Sequence, residues 1–125
     1  MRLNKGFTII ELLIVIVIIG ILVAITAVSY TGITNGANTA TNQANAKSVK
    51  QIAIACYSKN SAFPALTTAG LNGCGAGMTL PSGVTIGTPS SSDKGNIGLT
   101  TSGADPVVTY WDHTSGSGGA VATLN

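Results

Sequence analysis

The residues of this chain whose types are suited to chemistry are few and widely spaced. His113 is the sole histidine, and Asp112 is the only ionisable group beside it; no Gly-X-Ser-X-Gly elbow and no His-Glu-X-X-His pair is present. The nucleophile, base and orienting group of a hydrolase are therefore not assembled by any motif. A lone histidine in a strand-like run reads as a surface or packing residue. Gly73-Cys74-Gly75-Ala76-Gly77 has the glycine density of a phosphate-wrapping loop, but no Lys-Ser/Thr follows it and no helix opens from it. Turn glycines account for it better. Asp93, followed by Lys94-Gly95-Asn96, is a turn signature before it is a calcium ligand. No enzyme activity, cofactor or metal is expected.

One acidic residue is harder to explain. Glu11 lies inside the run from Phe7 to Val28, FTIIELLIVIVIIGILVAITAV, which as a helix of about 22 residues would be ~33 Å long and span a bilayer. Arg2 and Lys5 precede the run and no basic residue follows it until Lys47. The positive-inside bias thus places the N-terminus in the cytoplasm and the body outside. A secretory signal peptide cut after Ala27-Val28-Ser29 has the right leading charge, but the apolar run is too long for it. A plain single-pass anchor and a segment that later leaves the membrane to form the core of an assembly both remain. A mid-span carboxylate costs on the order of 2.5 to 3.5 kcal/mol on insertion scales and usually faces a partner or a cavity. The simpler alternative is that Glu11, barely a turn into the run, reaches the headgroups and complements the positive end of the helix dipole.

The flanking residues Lys5-Gly6-Phe7-Thr8-Ile9-Ile10-Glu11-Leu12 resemble the processing site of type IV prepilins and type II secretion pseudopilins. The resemblance in letters runs from about Lys5 to Tyr30. It implies a short leader, residues 1–6, cut between Gly6 and Phe7 by a prepilin peptidase, with N-methylation of Phe7. It also implies that Glu11 neutralises the N-terminal amine of an adjacent subunit during assembly. Gly6 would give a protease close backbone access, and the cut creates an amine four positions before Glu11, on the same helix face. Methylation leaves that amine cationic. In a dry helical core either charge is costly alone and tolerable as a pair, so the pair would act as a registry check. The implied partners are copies of the same chain in a homopolymer, the membrane before assembly, a platform membrane protein and an assembly ATPase.

These groups must be positioned by a modest body. With 125 residues, 45% apolar but only 8% charged, the chain holds one domain at most, and its apolar residues crowd into the first quarter. Removing residues 1–6 would take Arg2 and Lys5 with it and lower the formal charge from +2 to zero. Such a body has little grip on nucleic acid, although Lys47 and Lys50, three apart on a helix, leave that reading open. A surface rich in Ser, Thr and Asn suits subunits that pack side by side.

The expected fold is α+β: residues 7–28 as an apolar helix, 29–59 as its continuation, and 60–125 as loop and small antiparallel sheet. Ser29 to Gly36 has poor helix propensity. Family members often carry a proline at the position of Val28, so a proline kink is not implied here; Gly32 and Gly36 supply the weak point, and a stretched or melted segment in the filament is expected between about Tyr30 and Asn38. The resumed helix should bury Ile33, Ala37, Ala40, Ala44, Val49, Ile52, Ala53 and Cys56, small alanines letting a sheet or a neighbouring helix come close. Ser58 to Gly77 reads as loop. Strands are expected at Gly83 to Thr88, Asn96 to Thr101, Pro106 to His113 and Ala120 to Leu124.

Cys56 and Cys74, the only cysteines, fall on the side of the membrane where disulfides persist, and pairing them would tie the helix end to the following loop. Two buried free thiols are the alternative. The function expected is the major subunit of a type IV pilus, a helical cell-surface filament for adhesion, motility or DNA uptake, held in the inner or cytoplasmic membrane before assembly. A pseudopilin of a secretion or competence apparatus is the second reading. A membrane-tethered extracellular binding module that never polymerises and keeps residues 1–6 is the third.

Overall fold

The computed structural model describes residues 6–75, 77–92, 95–103, 105–115 and 118–125, together with the backbone but not the side chain of Val28. Arg2 and Lys5 of the leader, Ala76 of the glycine-rich loop and the Asp93-Lys94 turn lie outside the described residues. The elements are α1 (Ile9–Asn60), α2 (Thr68–Asn72), β1 (Thr85–Ile86), β2 (Asn96–Ser102), β3 (Asp105–Asp112) and β4 (Ala120–Thr123). Two compact units divide the chain, one ending at Thr34 and the other running from Asn35 to Asn125.

The first unit is the apolar part of α1. Three of its hydroxyls bond back to carbonyls of the helix itself. Thr26 donates to the Val23 carbonyl, Ser29 to that of Ile25, and Thr34 to those of Tyr30 and Thr31. Such back-bonding slightly weakens and bends helices. Gly32 and Gly36 each cost up to ~1 kcal/mol relative to Ala. Nothing lies within 4 Å of where a Cβ would stand at either position, so no packing within the chain demands a glycine there. The helix nonetheless continues through residues 30–38.

In the second unit the remainder of α1 lies on the sheet. Asn42, Ala46, Val49, Ala53 and Cys56 are buried, at alternating spacings of four and three that mark one helix face. Val49, Ile52, Ala53 and Cys56 fall where the apolar pattern put them, Ile52 partly buried. Ile33, Ala37, Ala40 and Ala44 do not: all four are exposed. The reason is polar. Asn42 donates through Nδ2 to the Trp111 carbonyl at 2.9 Å, Thr39 donates to Asp112 Oδ1 at 3.1 Å, and the His113 N–H donates to the Thr39 hydroxyl at 2.9 Å. Two polar side chains thus choose the docking face, which a count of apolar residues passes over. Ser61, in the left-handed region at φ 53°, closes the helix with its N–H on the Tyr57 carbonyl.

The segment expected to be loop contains α2, a single turn whose N-cap Thr67 accepts the Gly70 N–H at 3.1 Å. It carries Leu71 into the core. All four expected strands form, in the order β1-β2-β3-β4. The sheet is mixed, not wholly antiparallel. β2, β3 and β4 are antiparallel neighbours, with Leu99 opposite Val108 and Tyr110 opposite Ala122, but β1 runs parallel to β2. Its bonds are Thr85 N–H to the Gly95 carbonyl and Gly87 N–H to that of Ile97. The return segment from Gly87 brings the chain back beside its own start, and a Cβ at Gly95 would collide with the Gly83 carbonyl oxygen. Only a glycine allows that approach. The outward N–H of Ile86 is taken by the Thr68 hydroxyl at 2.8 Å, so α2 covers this edge. Ile97 and Leu99 of β2 and Pro106, Val108 and Tyr110 of β3 alternate inward. They complete a core with the helix face, Leu71, Val84 and Leu124.

Cys56 and Cys74 are joined by a disulfide, with Cα atoms 5.7 Å apart. Both are buried in this core.

Three outcomes are expected of the head. Ile97→Ala, which empties a fully buried position, should lower unfolding stability by roughly 2 to 5 kcal/mol in chemical denaturation. Replacing both cysteines by alanine should cost about 3 kcal/mol by the loop-entropy estimate, with no mass change on reduction of the variant. The Asp112 carboxyl is held below its ordinary value by the Thr114 hydroxyl and N–H that donate to it, with smaller help from Thr39 and His113. A depressed carboxylate stabilises above its unfolded value and loses that contribution as pH falls through the folded one. The melting-temperature gap between wild type and Asp112→Asn should therefore be present at neutral pH and close below about pH 4.

Candidate processing and assembly site

The N-terminal site is built by the start of α1. Gly6 has open space around it, with nothing within 4 Å of where a Cβ would stand, and Phe7 is 91% exposed. The peptide joining them is therefore open to an extended-chain reader such as a protease. Thr8 then caps the helix. Its N–H and its hydroxyl both donate to Glu11 Oε2, at 2.8 and 2.7 Å, and its hydroxyl accepts the Glu11 N–H at 3.3 Å. The Thr8 carbonyl takes the Leu12 N–H. This is a capping box, in which a threonine and a glutamate three residues on satisfy each other's backbone donors.

The box explains the local fold and gives Glu11 a role within its own chain. Sequence reasoning singled out Gly6, Phe7 and Glu11 and passed over Thr8, although Thr8-Ile9-Ile10-Glu11 is the spacing that signals such a cap. A carboxylate has acceptor capacity for about four hydrogen bonds, so the box leaves room for a further donor. An amine created at Phe7 would sit immediately before the cap, at the positive end of the helix dipole. An anion is favoured there and a cation is not. A carboxylate close by is what makes such an amine tolerable.

Beyond Glu11 the surface is uniformly apolar. The large apolar side chains from Phe7 to Ile25 are each half or more exposed. A helix of this length and composition can cross a membrane. It is not the buried core helix of its own chain, since none of its most apolar stretch is covered.

The other sequence candidates are used structurally. Gly73 forms the C-cap of α2, and Cys74 is in the disulfide. Asp112 is occupied by Thr39 and Thr114, while His113 Nε2 is buried without a hydrogen-bond partner. Asp112 and His113 thus form no acid–base dyad. Lys47 is exposed and Lys50 half-buried.

No curated protein and no solved structure matches the chain. Residues 1–27 match the family model described as the prokaryotic N-terminal methylation motif. That match covers Gly6, Phe7, the Thr8–Glu11 cap and the apolar run as far as Ala27, and it is the prepilin signature that type IV pilins and pseudopilins share.

Proposed function

We propose that this chain is the major subunit of a type IV pilus, drawn from the membrane into a helical homopolymer on the cell surface. The observation that carries the reading is Glu11, a lone carboxylate at the head of an apolar helix that its own chain leaves bare, five residues from Gly6. The proposed steps follow from the chemistry. A prepilin peptidase cuts between Gly6 and Phe7, Phe7 is N-methylated, and the resulting cation is met by Glu11 of a neighbouring copy as it enters the bundle.

The energetics say why insertion must be direct. Moving a helix of this size from lipid into water would expose on the order of 30 kcal/mol of apolar surface. The helix therefore passes from lipid straight into a sheath of like helices, driven by the membrane platform and ATPase that the prepilin signature implies. The capping box refines the role of Glu11. Within one chain Thr8 already satisfies one carboxylate oxygen, so the inter-subunit amine competes with or joins an existing set of bonds. It does not meet a naked charge. The sparsely charged head supports a major subunit, because its Ser, Thr and Asn surface suits lateral packing. A pseudopilin would share the N-terminal chemistry and form short filaments.

Glu11→Val should insert and be cleaved yet leave surface filaments at a few per cent of the wild-type yield or less, as seen by electron microscopy of sheared material. Wild-type yield from that variant would defeat the proposal. N-terminal sequencing of wild-type surface material should begin at methylated Phe7; material beginning at Met1 would instead support a tethered module. Sparse, short filaments from the native locus would favour the pseudopilin.

A further inference from the structure

We propose that Thr39 and Asn42 form a clasp that fixes how far α1 can unwind, so that opening of the helix is confined to about Tyr30 to Asn38 and stops at the first docked turn. The inference goes beyond the filament reading, since it concerns the chain whether or not it polymerises.

The two sides of the clasp differ in what holds the backbone. On the N-terminal side, Gly32 and Gly36 lower helix propensity with no neighbour requiring them. Thr34 bonds back to the carbonyls of Tyr30 and Thr31, a competing partner for helix acceptors. Tyr30 and Ile33 are 70% and 71% exposed, so the large side chains of this segment do not anchor it to the core.

At Thr39 the situation changes within one turn. Thr39 both donates to Asp112 and accepts the His113 N–H, and Asn42, only 3% exposed, donates to the Trp111 carbonyl. Three consecutive residues at the end of β3 are thereby tied to two residues of the helix. Gly119, at φ 89°, packs against the same strand end; a Cβ there would strike Trp111 Nε1 and the Asp112 carbonyl oxygen. The strand end is also paired with β4, Trp111 opposite Val121 and Asp112 opposite Ala120, so it is anchored independently of the helix. Unwinding past Thr39 must break these bonds and uncover a buried amide, a cost that unwinding before it does not carry.

The clasp is also releasable. Trp111 Nε1 and His113 Nε2 are buried beside it without partners, and opening would return both to water. The clasp thus holds the docked turn without locking it permanently.

Amide hydrogen exchange, read by mass spectrometry on the full chain in lipid nanodiscs, tests this without requiring filaments. In wild type, amides from Thr31 to Asn38 should exchange at least about tenfold faster than those from Ala46 to Ala53, with the step falling between Asn38 and Asn42. Asn42→Ala should move the step one turn toward Ala46 and accelerate the amides in that turn about tenfold, leaving Val108 protected. Gly32→Ala combined with Gly36→Ala should slow exchange upstream without moving the step. Equal protection on both sides in wild type would overturn the proposal, as would an unmoved step in Asn42→Ala with Val108 still protected. Should Asn42→Ala expose Val108 as well, Thr39→Val, which removes only a hydroxyl, is judged by the same shift of the step.

Discussion

From Phe7 to Ile25 the first half of α1 presents large apolar side chains on every side, with half or more of each side chain's surface bare. Water is a poor solvent for such a surface. The choices left are lipid and other helices of the same kind. Each further feature of the N-terminal segment is intelligible as an adjustment to that constraint. The open Gly6-Phe7 peptide lies before the first turn of the helix, and the only acid of the apolar run sits where the helix dipole and Thr8 make its charge least costly. The match to the N-terminal methylation motif covers these residues together and stops within the apolar run.

The head solves a different problem, that of making a stable unit from few large side chains. Its core is built around alanine, valine and cysteine on the helix and one inward-facing row on each of two central strands. Small helix residues let the sheet lie close, and the disulfide from Cys56 to Cys74 ties the helix end to the chain that follows α2. Charges are spared, and short hydroxyl and amide side chains make the specific contacts instead. Thr68 closes one sheet edge through the Ile86 N–H, Asn72 receives the Leu80 N–H at 2.7 Å, and Thr39 and Asn42 hold the end of β3. Apart from the Asp112 carboxylate that takes the Thr39 hydroxyl, these contacts are between neutral groups, so they depend little on salt.

Reading outward from the residues recovered a good deal of this. The apolar helix follows from length and composition, four strands follow from β-branched runs between glycine and serine turns, and the cysteine pairing was favoured over two free thiols by the compartment and is present in the structure. Besides the parallel run of β1 in a sheet expected to be antiparallel, three things were missed. The capping box was written in Thr8-Ile9-Ile10-Glu11, but the weight placed on Glu11 as a partner for another chain hid its local role. The docked helix face was misjudged over its first two turns because Thr39 and Asn42, rather than Ala37, Ala40 and Ala44, turn toward the sheet. A buried asparagine looks like a surface residue until its acceptor is known. The α2 turn was hidden in a glycine-rich stretch, because one short helical turn has no periodicity to detect.

By itself the sequence determined the solvent of each part of the chain, since that depends on composition and period alone. A continuous apolar run with one acid near its start has no polar face to turn to water, whereas the Ser/Thr/Gly-rich remainder alternates apolar and polar residues as half-buried strands do. It also carried the Gly6-Phe7 junction within the N-terminal methylation motif, a signal that lies in adjacent residues. Only the tertiary structure decided the direction of β1. A two-residue strand carries no mark of whether its partner runs with it or against it, and the close approach at Gly95 settles it as parallel. It likewise decided which helix face meets the sheet, because that choice rests on hydrogen bonds between residues some seventy positions apart in sequence. Propensity and pattern report only local preferences, and a bond across that distance exists only once the chain has folded.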